Sequence, residues 1–191
     1  MANWHGQGRY TEPNCYCYEG GFCRGKKHGY GEELDSDGLT YIGEFQDRLR
    51  HGQGCSSFSD GYFYKGAYRN GRQHGYGEVH YPDGASYIGQ FYNGELNGIG
   101  QYSCAPTAGK LLMNDGQLVE RYKEVKPLKG SKHDISDNNM PFPGRFVYLG
   151  SFKKGLLRGH CRVTEPDGFV YDGDWRHGKA HGSGAFPPGD Y

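Results

Sequence analysis

Apolar and polar positions alternate with a period of two through short stretches of the chain. In Tyr41-Ile42-Gly43-Glu44-Phe45 the odd positions share one face of an extended strand, and Tyr171, Gly173 and Trp175 do the same. Each stretch leads through a turn into a glycine-spaced segment, such as His51-Gly52-Gln53-Gly54 or His74-Gly75-Tyr76-Gly77. The phrase recurs with a period of 23: Tyr18, Tyr41, Tyr64 and Tyr87 are evenly spaced, and Tyr148 and Tyr171 repeat the interval. Asp37-Gly38, Asp60-Gly61, Asp83-Gly84 and Asp167-Gly168 each stand three residues before the next tyrosine, and Asn70-Gly71 lies inside a unit. Asp-Gly and Asn-Gly favour turns that need positive φ, so each unit predicts two strands and two turns, a β-hairpin per repeat. The glycine between two aromatics leaves a gap over which a ring can lie.

Counting back one period from His28 reaches His5, which makes Trp4-His5-Gly6-Gln7-Gly8 the rear half of a repeat. Between Tyr102 and Val147 the tyrosine spacing widens and the register is lost. The chain therefore divides into residues 1–102, a half repeat plus four; residues 103–147, an irregular insertion or a degenerate repeat; and residues 148–191, two further repeats. Within the middle segment Leu111-Leu112-Met113 before Asp115-Gly116 is compatible with a residual strand and turn. Residues 118–125 read equally as a strand or a short helix, and residues 131–143 as a loop. Three repeats depart from the pattern: Arg48 stands at the turn glycine, Asn97 at the histidine, and the fifth reads Arg158-Gly159-His160-Cys161. The chain stops at Asp190-Tyr191, where another turn is due, so a longer array remains open.

The pattern Tyr-x-Gly-x-aromatic-x-x-Gly-x-x-His-Gly-x-Gly with a trailing Asp-Gly resembles the membrane occupation and recognition nexus, or MORN, repeat. The resemblance covers residues 4 to 102 and 148 to 191. It implies an all-β fold, an elongated single-layer antiparallel sheet of consecutive 23-residue hairpins with one irregular insertion. It also implies interaction roles: the family includes radial-spoke and cytoskeletal proteins, junctophilins, apicomplexan division scaffolds, and arrays fused to lipid kinases or a methyltransferase. The expectation for this chain is a scaffold or adaptor in a cytoskeletal, ciliary or axonemal, or membrane-cortex assembly. A regulatory array that accompanies an enzyme is a further alternative.

Composition narrows the classes. The 191 residues include 34 glycines and 17 tyrosines with 35% hydrophobic residues, too few aliphatics for a large globular core and too many aromatics for disorder or collagen. Zero formal net charge removes any whole-chain argument for nucleic acid. No apolar run approaches the roughly 18 residues of a membrane span, and the start lacks a signal-peptide pattern, which reads as a cytoplasmic protein. The six cysteines form no CxxC pair and read as free thiols.

Candidate chemistry is sparse. His5, His28, His51, His74 and His181 share a repeat position, but equivalent residues two strands apart are about 10 Å from each other, too far for one metal ion. Their periodicity suggests instead that each imidazole caps a turn or bonds a neighbouring strand. Ala105 to Leu111 lacks the first glycine and the hydroxyl of a phosphate loop, and Gly182-Ser183-Gly184 lacks the first glycine of a nucleophile elbow. No enzyme activity, cofactor or metal is expected.

Binding residues follow from the pattern. Tyr41, Phe45, Tyr64, Tyr68, Tyr87 and Phe91 form the aromatic and glycine-lined face expected to hold a protein partner segment. Core stacking of the same rings is compatible with that role, provided they stay open on one side. Basic residues gather at the turn inside each repeat, Arg24, Lys26, Lys27, Arg48, Arg50, Arg69, Arg72, Lys153, Lys154 and Arg158, with Arg176 and Lys179 beyond. They are candidates for peripheral binding to a phosphoinositide membrane. Terminal strands with unpaired edges suggest a homodimer through the end repeats.

Overall fold

The computed structural model describes residues 4–104, 146–164 and 170–185. These form thirteen strands and no helix. They are β1 Gly6–Thr11, β2 Cys17–Cys23, β3 Lys26–Leu34, β4 Thr40–Gln46, β5 Leu49–Ser57, β6 Phe63–Arg69 and β7 Arg72–His80. The series continues with β8 Ser86–Tyr92, β9 Glu95–Cys104, β10 Phe146–Lys153, β11 Leu156–Thr164, β12 Val170–Arg176 and β13 Lys179–Ala185. All belong to one open antiparallel sheet whose strand order is the chain order. Two compact units result, residues 1–82 with 91–94, and residues 83–90 with 95–191. The features expected at 111–116, 118–125, 131–143, Asp167-Gly168 and the terminal Asp190-Tyr191 lie outside the described residues.

The two turns of each repeat differ in kind. Inside a repeat the two central residues both have positive φ, as at Arg24 and Gly25 (50° and 70°), Asn70 and Gly71 (51° and 82°) or Asn93 and Gly94 (52° and 89°). This is the type I′ turn, whose twist matches that of the flanking strands. Its second residue also latches onto the preceding repeat: Gly25, Arg48, Gly71 and Gly94 donate their N–H to the carbonyls of Trp4, Lys27, Arg50 and Gln73 at 2.8 to 3.0 Å. Between repeats, positive φ is needed only at the glycine. Gly38 donates to Asp35 O at 2.9 Å and Asp35 N–H to Leu39 O at 2.8 Å, a type I turn closed by a left-handed glycine. The aspartate contributes by its side chain, as Asp60 accepts the Tyr62 N–H at 2.9 Å and Asp83 the Ala85 N–H at 3.0 Å.

The core is a tyrosine laid on glycines. Tyr18, Tyr41, Tyr64 and Tyr87 are each 0% exposed, and a Cβ built on Gly54 would meet Tyr41 ring carbons at 2.6 Å. Gly43 and Gly54 are register partners, as are Gly66 and Gly77, so two glycines form the floor under each ring. The hydroxyl then donates to the carbonyl three residues on: Tyr18 to Gly21, Tyr41 to Glu44 and Tyr64 to Ala67 at 2.9 Å, and Tyr87 to Gln90 at 3.0 Å. In the first three repeats that carbonyl sits where the strand register slips by a β-bulge, and the phenol supplies a donor at the irregularity. Burial pushes the Tyr18 phenol up to about 12, helped by the charge of Glu33, so it stays a donor at neutral pH.

Within the first unit the rings form a continuous ladder. Phe22, Tyr18, Phe45, Tyr41, Tyr68, Tyr64 and Phe91 meet edge to face in that order, with centroids 5.0 to 5.2 Å apart. Each such pair contributes about 0.5–1.5 kcal/mol beyond area burial, and every second contact joins one repeat to the next.

In the second unit the pattern resumes as though the insertion were absent. Strand β10 pairs directly with β9, with Gly150 opposite Gly100 and Tyr148 opposite Tyr102. Phe152 packs on Tyr87 at 5.2 Å and Gly155 latches to Leu96 O at 2.9 Å, the contacts expected of consecutive repeats. The register that the sequence loses after Tyr102 is thus kept across the pair Cys104 and Phe146. The fifth repeat does differ beneath its ring, where Cys161 takes the floor glycine's place opposite Gly150 and its thiol lies 3.8 Å from Ser151 O.

Two variants test this construction. A Cβ at Gly66 would lie 2.5 Å from Gly77 Cα and 2.7 Å from both the Tyr64 hydroxyl and Tyr76 O, whereas Lys65 points to solvent on the other face. Gly66→Val is therefore expected to lower Tm by far more than Lys65→Val, and equal melting would refute the tyrosine-on-glycine core. Arg48 sits at φ 80° in a turn position that is glycine in the other repeats. Relieving its left-handed strain by Arg48→Gly should stabilise the protein by about 1 kcal/mol, seen as a higher denaturant midpoint at unchanged slope.

Candidate functional site

Aligned by repeat, two core-face positions change character along the chain. The second residue of each repeat's second strand is Lys27, Arg50, Gln73, Leu96, Leu157 and Ala180 in turn, and a core-face residue near its end is Glu33, Ser56, Val79, Tyr102 and Val163. In the first unit these columns hold charged and polar side chains up to Gln73 and Ser56, with Val79 apolar, and in the second apolar side chains fill them. Where Leu96 and Leu157 simply pack, at 2% and 0% exposure, Lys27 and Arg50 must be neutralised.

They are neutralised by Glu33, which is 5% exposed. Lys27 Nζ bonds its Oε1, and Arg50 reaches Oε2 through Nε at 2.9 Å and Nη2 at 2.8 Å. The Tyr16 hydroxyl donates to Oε1 at 2.8 Å, and Asp35 stands 3.5 Å from Arg50 Nη2. The ammonium also lies 5.1 Å from the Phe45 ring centroid, and the guanidinium lies 5.2 Å from that of Tyr41. Burial alone would raise the Glu33 carboxyl, but the hydrogen bonds from Lys27 and Tyr16 and the two cationic charges outweigh it and hold it below the usual range.

Two open clefts lie on this face of the first unit. One, of about 480 Å³, is walled by Trp4, Tyr10, Tyr16 and Phe22, with Lys27 and Arg48 beside them. The other, of about 250 Å³, is walled by Phe58, Tyr62 and Tyr68, with Ser56, Gln73 and Arg72 beside them. Small hydrogen bonds order the second: Ser56 Oγ lies 2.7 Å from the Tyr68 hydroxyl and Gln73 donates to the Tyr62 hydroxyl at 2.5 Å.

The six aromatics read as a partner surface are all packed. Tyr41, Tyr64 and Tyr87 are fully buried, and Phe45, Tyr68 and Phe91 are exposed by 3%, 6% and 4%. They do not stay open on one side, because each ring is covered by the aromatic of the adjoining repeat. Of the six, Tyr68 lines one of these two clefts. The basic set divides as well: Lys27 and Arg50 belong to the Glu33 cluster, and Lys26 is paired with Asp47 at 2.9 Å. Arg24, Arg48, Arg69, Arg72, Lys153, Lys154 and Arg158 remain exposed. The periodic histidines are not turn caps: among the described residues His28, His51 and His74 form no side-chain hydrogen bond, and the His74 ring packs 5.2 Å from Tyr92. All six cysteines are free thiols, and burial pushes that of Cys104 up to about 12.

Sequence reasoning named Tyr68 and the basic residues of the linings but missed Trp4, Tyr10, Tyr16, Phe58, Tyr62 and Glu33, although for Glu33 the repeat alignment carried the signal: a glutamate and two cations in columns that elsewhere hold valine, leucine and tyrosine. It also missed Tyr30, Tyr76 and Ile99, each 64–68% exposed on the opposite face between two glycines.

Hairpin units that each bury a tyrosine and, beyond the first, a second ring, latch to their neighbours and carry their variation on one face define a β-hairpin repeat protein. The MORN repeat matches residues 18–40, 41–61, 64–86, 87–106, 148–169 and 171–191, and the chain belongs to that family. No curated protein matches the chain. Among the described residues no helix is long and apolar enough to cross a membrane.

The Glu33 cluster predicts a pH dependence. A carboxyl whose folded pKa is depressed adds stability that is present above its unfolded value of about 4.3 and lost as pH falls through the folded value. Glu33→Gln should cost about 3 kcal/mol at pH 7, and the gap to the parent protein should close below about pH 4. A gap that stays constant from neutral pH to pH 3 would show that Glu33 is not ionised in its cluster.

Proposed function

We propose that this protein is a non-enzymatic scaffold or adaptor that binds a peptide segment of a protein partner on the aromatic face of its first unit. The observation that supports this reading is the pair of open, aromatic-walled clefts on a face whose remaining rings are closed by packing. Tyr41, Phe45, Tyr64 and Phe91 then act from below, as the rigid bed that fixes the cleft walls. Family membership favours a setting in a cytoskeletal, ciliary or membrane-cortex assembly.

A second reading has its own observation: Arg24, Arg48, Arg69 and Arg72 are exposed at successive turns and form no ion pair among the described residues, which suits an anionic lipid surface. One pair of experiments separates the two. Panning a random peptide library against the whole chain should yield binders whose affinity drops at least about tenfold, 1.4 kcal/mol, in Tyr62→Ala. The same binders should be indifferent to Lys65→Ala on the other face and to salt. If no cleft-dependent peptide emerges, and phosphoinositide vesicles sediment the protein in a salt-sensitive way that Arg24→Glu and Arg69→Glu abolish, the lipid reading replaces the first.

A further inference from the structure

The two clefts are the same cleft. Moved 46 residues along the chain, two repeats, all eight residues that line the first fall on residues that line the second: Tyr10 on Ser56, Tyr16 on Tyr62, Phe22 on Tyr68, Lys27 on Gln73, and the others likewise. The set midway between them contains Lys27, Glu33, Asp35, Phe45 and Arg50, and there the ion cluster occupies the space. The first unit thus presents open, closed and open positions in succession.

We propose that this alternation is a two-point dock for an extended peptide segment that carries two large apolar side chains six residues apart, an acidic residue beyond each, and uncharged residues between. This rests on the reading that the aromatic face binds a protein partner, and gives that partner its chemistry.

The spacing follows from the sheet. Two repeats are four strands, so at about 4.8 Å per strand the clefts are about 19 Å apart. An extended chain advances about 3.3 Å per residue, and six residues cover about 20 Å. The even number leaves both anchors on one side of the segment. The anchors are apolar and broad because the walls are rings: Trp4, Tyr10, Tyr16 and Phe22 around the first, Phe58, Tyr62 and Tyr68 around the second.

Charge sets the flanks. Each cleft has one exposed arginine in its lining that forms no ion pair among the described residues, Arg48 in the first and Arg72 in the second; Glu12, which also lines the first, accepts from the Tyr10 hydroxyl at 3.2 Å. The other cations of the two linings, Lys27 in the first and Arg50 in the second, are already matched by Glu33 and Asp35. Carboxylates are therefore favoured beside the anchors. Over the closed middle, Asp35 is still partly exposed and repels a further acid.

The probe is the peptide Asp-Ser-Trp-Ser-Thr-Ser-Thr-Ser-Trp-Ser-Asp, titrated calorimetrically into the full chain. It should bind at least about tenfold more tightly than the same peptide with its second Trp replaced by Ser, or with the anchors brought two residues closer, since the second contact becomes intramolecular. Tyr10→Ala and Phe58→Ala should each reduce it to the single-anchor level. Arg48→Gly and Arg72→Ala, which remove side chains exposed to solvent, should each weaken it several-fold and leave a peptide without aspartates unaffected. Equal affinity for the three peptides overturns the dock. So does a concentration-dependent self-association, seen by light scattering, that Tyr10→Ala and Phe58→Ala abolish, which would assign the clefts to a second copy of this chain. Should library-selected peptides still require Tyr62 while the two-anchor peptide shows no advantage, the dock fails and the broader reading stands; should they ignore the clefts as well, both fail.

Discussion

The fold depends on a phenol lying flat on two glycines and donating its hydroxyl to a carbonyl at a slip in strand register. A one-layer sheet has no opposing layer to cover it, so each repeat must bury its aromatic within its own thickness. Removing two side chains from the floor lets a tyrosine sink to complete burial, and the bulge gives its hydroxyl a partner that regular pairing would not leave. The glycines that would weaken an ordinary strand are here what makes room for the central tyrosine on which the other rings pack. Everything else, the ladder of rings, the type I′ turns and the latches, holds successive copies of that contact in line.

Because each repeat supplies its own glycine floor and its neighbour's ring supplies the cover, the columns beside the tyrosine can vary. In the second unit they are apolar and closed. In the first they hold Lys27, Glu33 and Arg50, a buried charged group that a leucine and a valine could replace without loss of packing. A charged cluster where apolar residues would serve, flanked by two unfilled copies of the same site, separates the first unit in character from the second, although both are built on one template.

Much of this was legible in the chain. The interval between Tyr18, Tyr41, Tyr64 and Tyr87 gave the hairpin unit, and Tyr41-x-Gly43-x-Phe45 gave the face, because strand periodicity converts spacing directly into geometry. The site was less legible. Tyr41, Phe45, Tyr64, Tyr68, Tyr87 and Phe91 are aromatic for the sake of packing, and a sequence does not show that a neighbouring repeat covers each ring. Likewise Lys27 and Arg50 look like solvated turn residues until the strand register brings Glu33 between them. The two turns also read alike as Xaa-Gly pairs, yet Asn70-Gly71 needs positive φ twice and Asp37-Gly38 only once, a difference that depends on what the next strand must pair with. Register across residues 105–145 was invisible, since counting residues measures the contour of the chain and pairing depends on where its ends meet.

That last feature has an evolutionary meaning. Cys104 and Phe146 face each other as partners in a ladder, and the strand pairing, the Gly155 latch and the Phe152–Tyr87 contact that join the fourth repeat to the fifth are ones that consecutive repeats make anyway. The junction between repeats is therefore a port: sequence can be added there without altering an interface, because the cost of closing a longer loop grows only by about 0.6 kcal/mol for each doubling of its length. An architecture whose units bond through fixed rungs can acquire new segments, and with them new specificities, by lengthening the chain between two strands that already belong together.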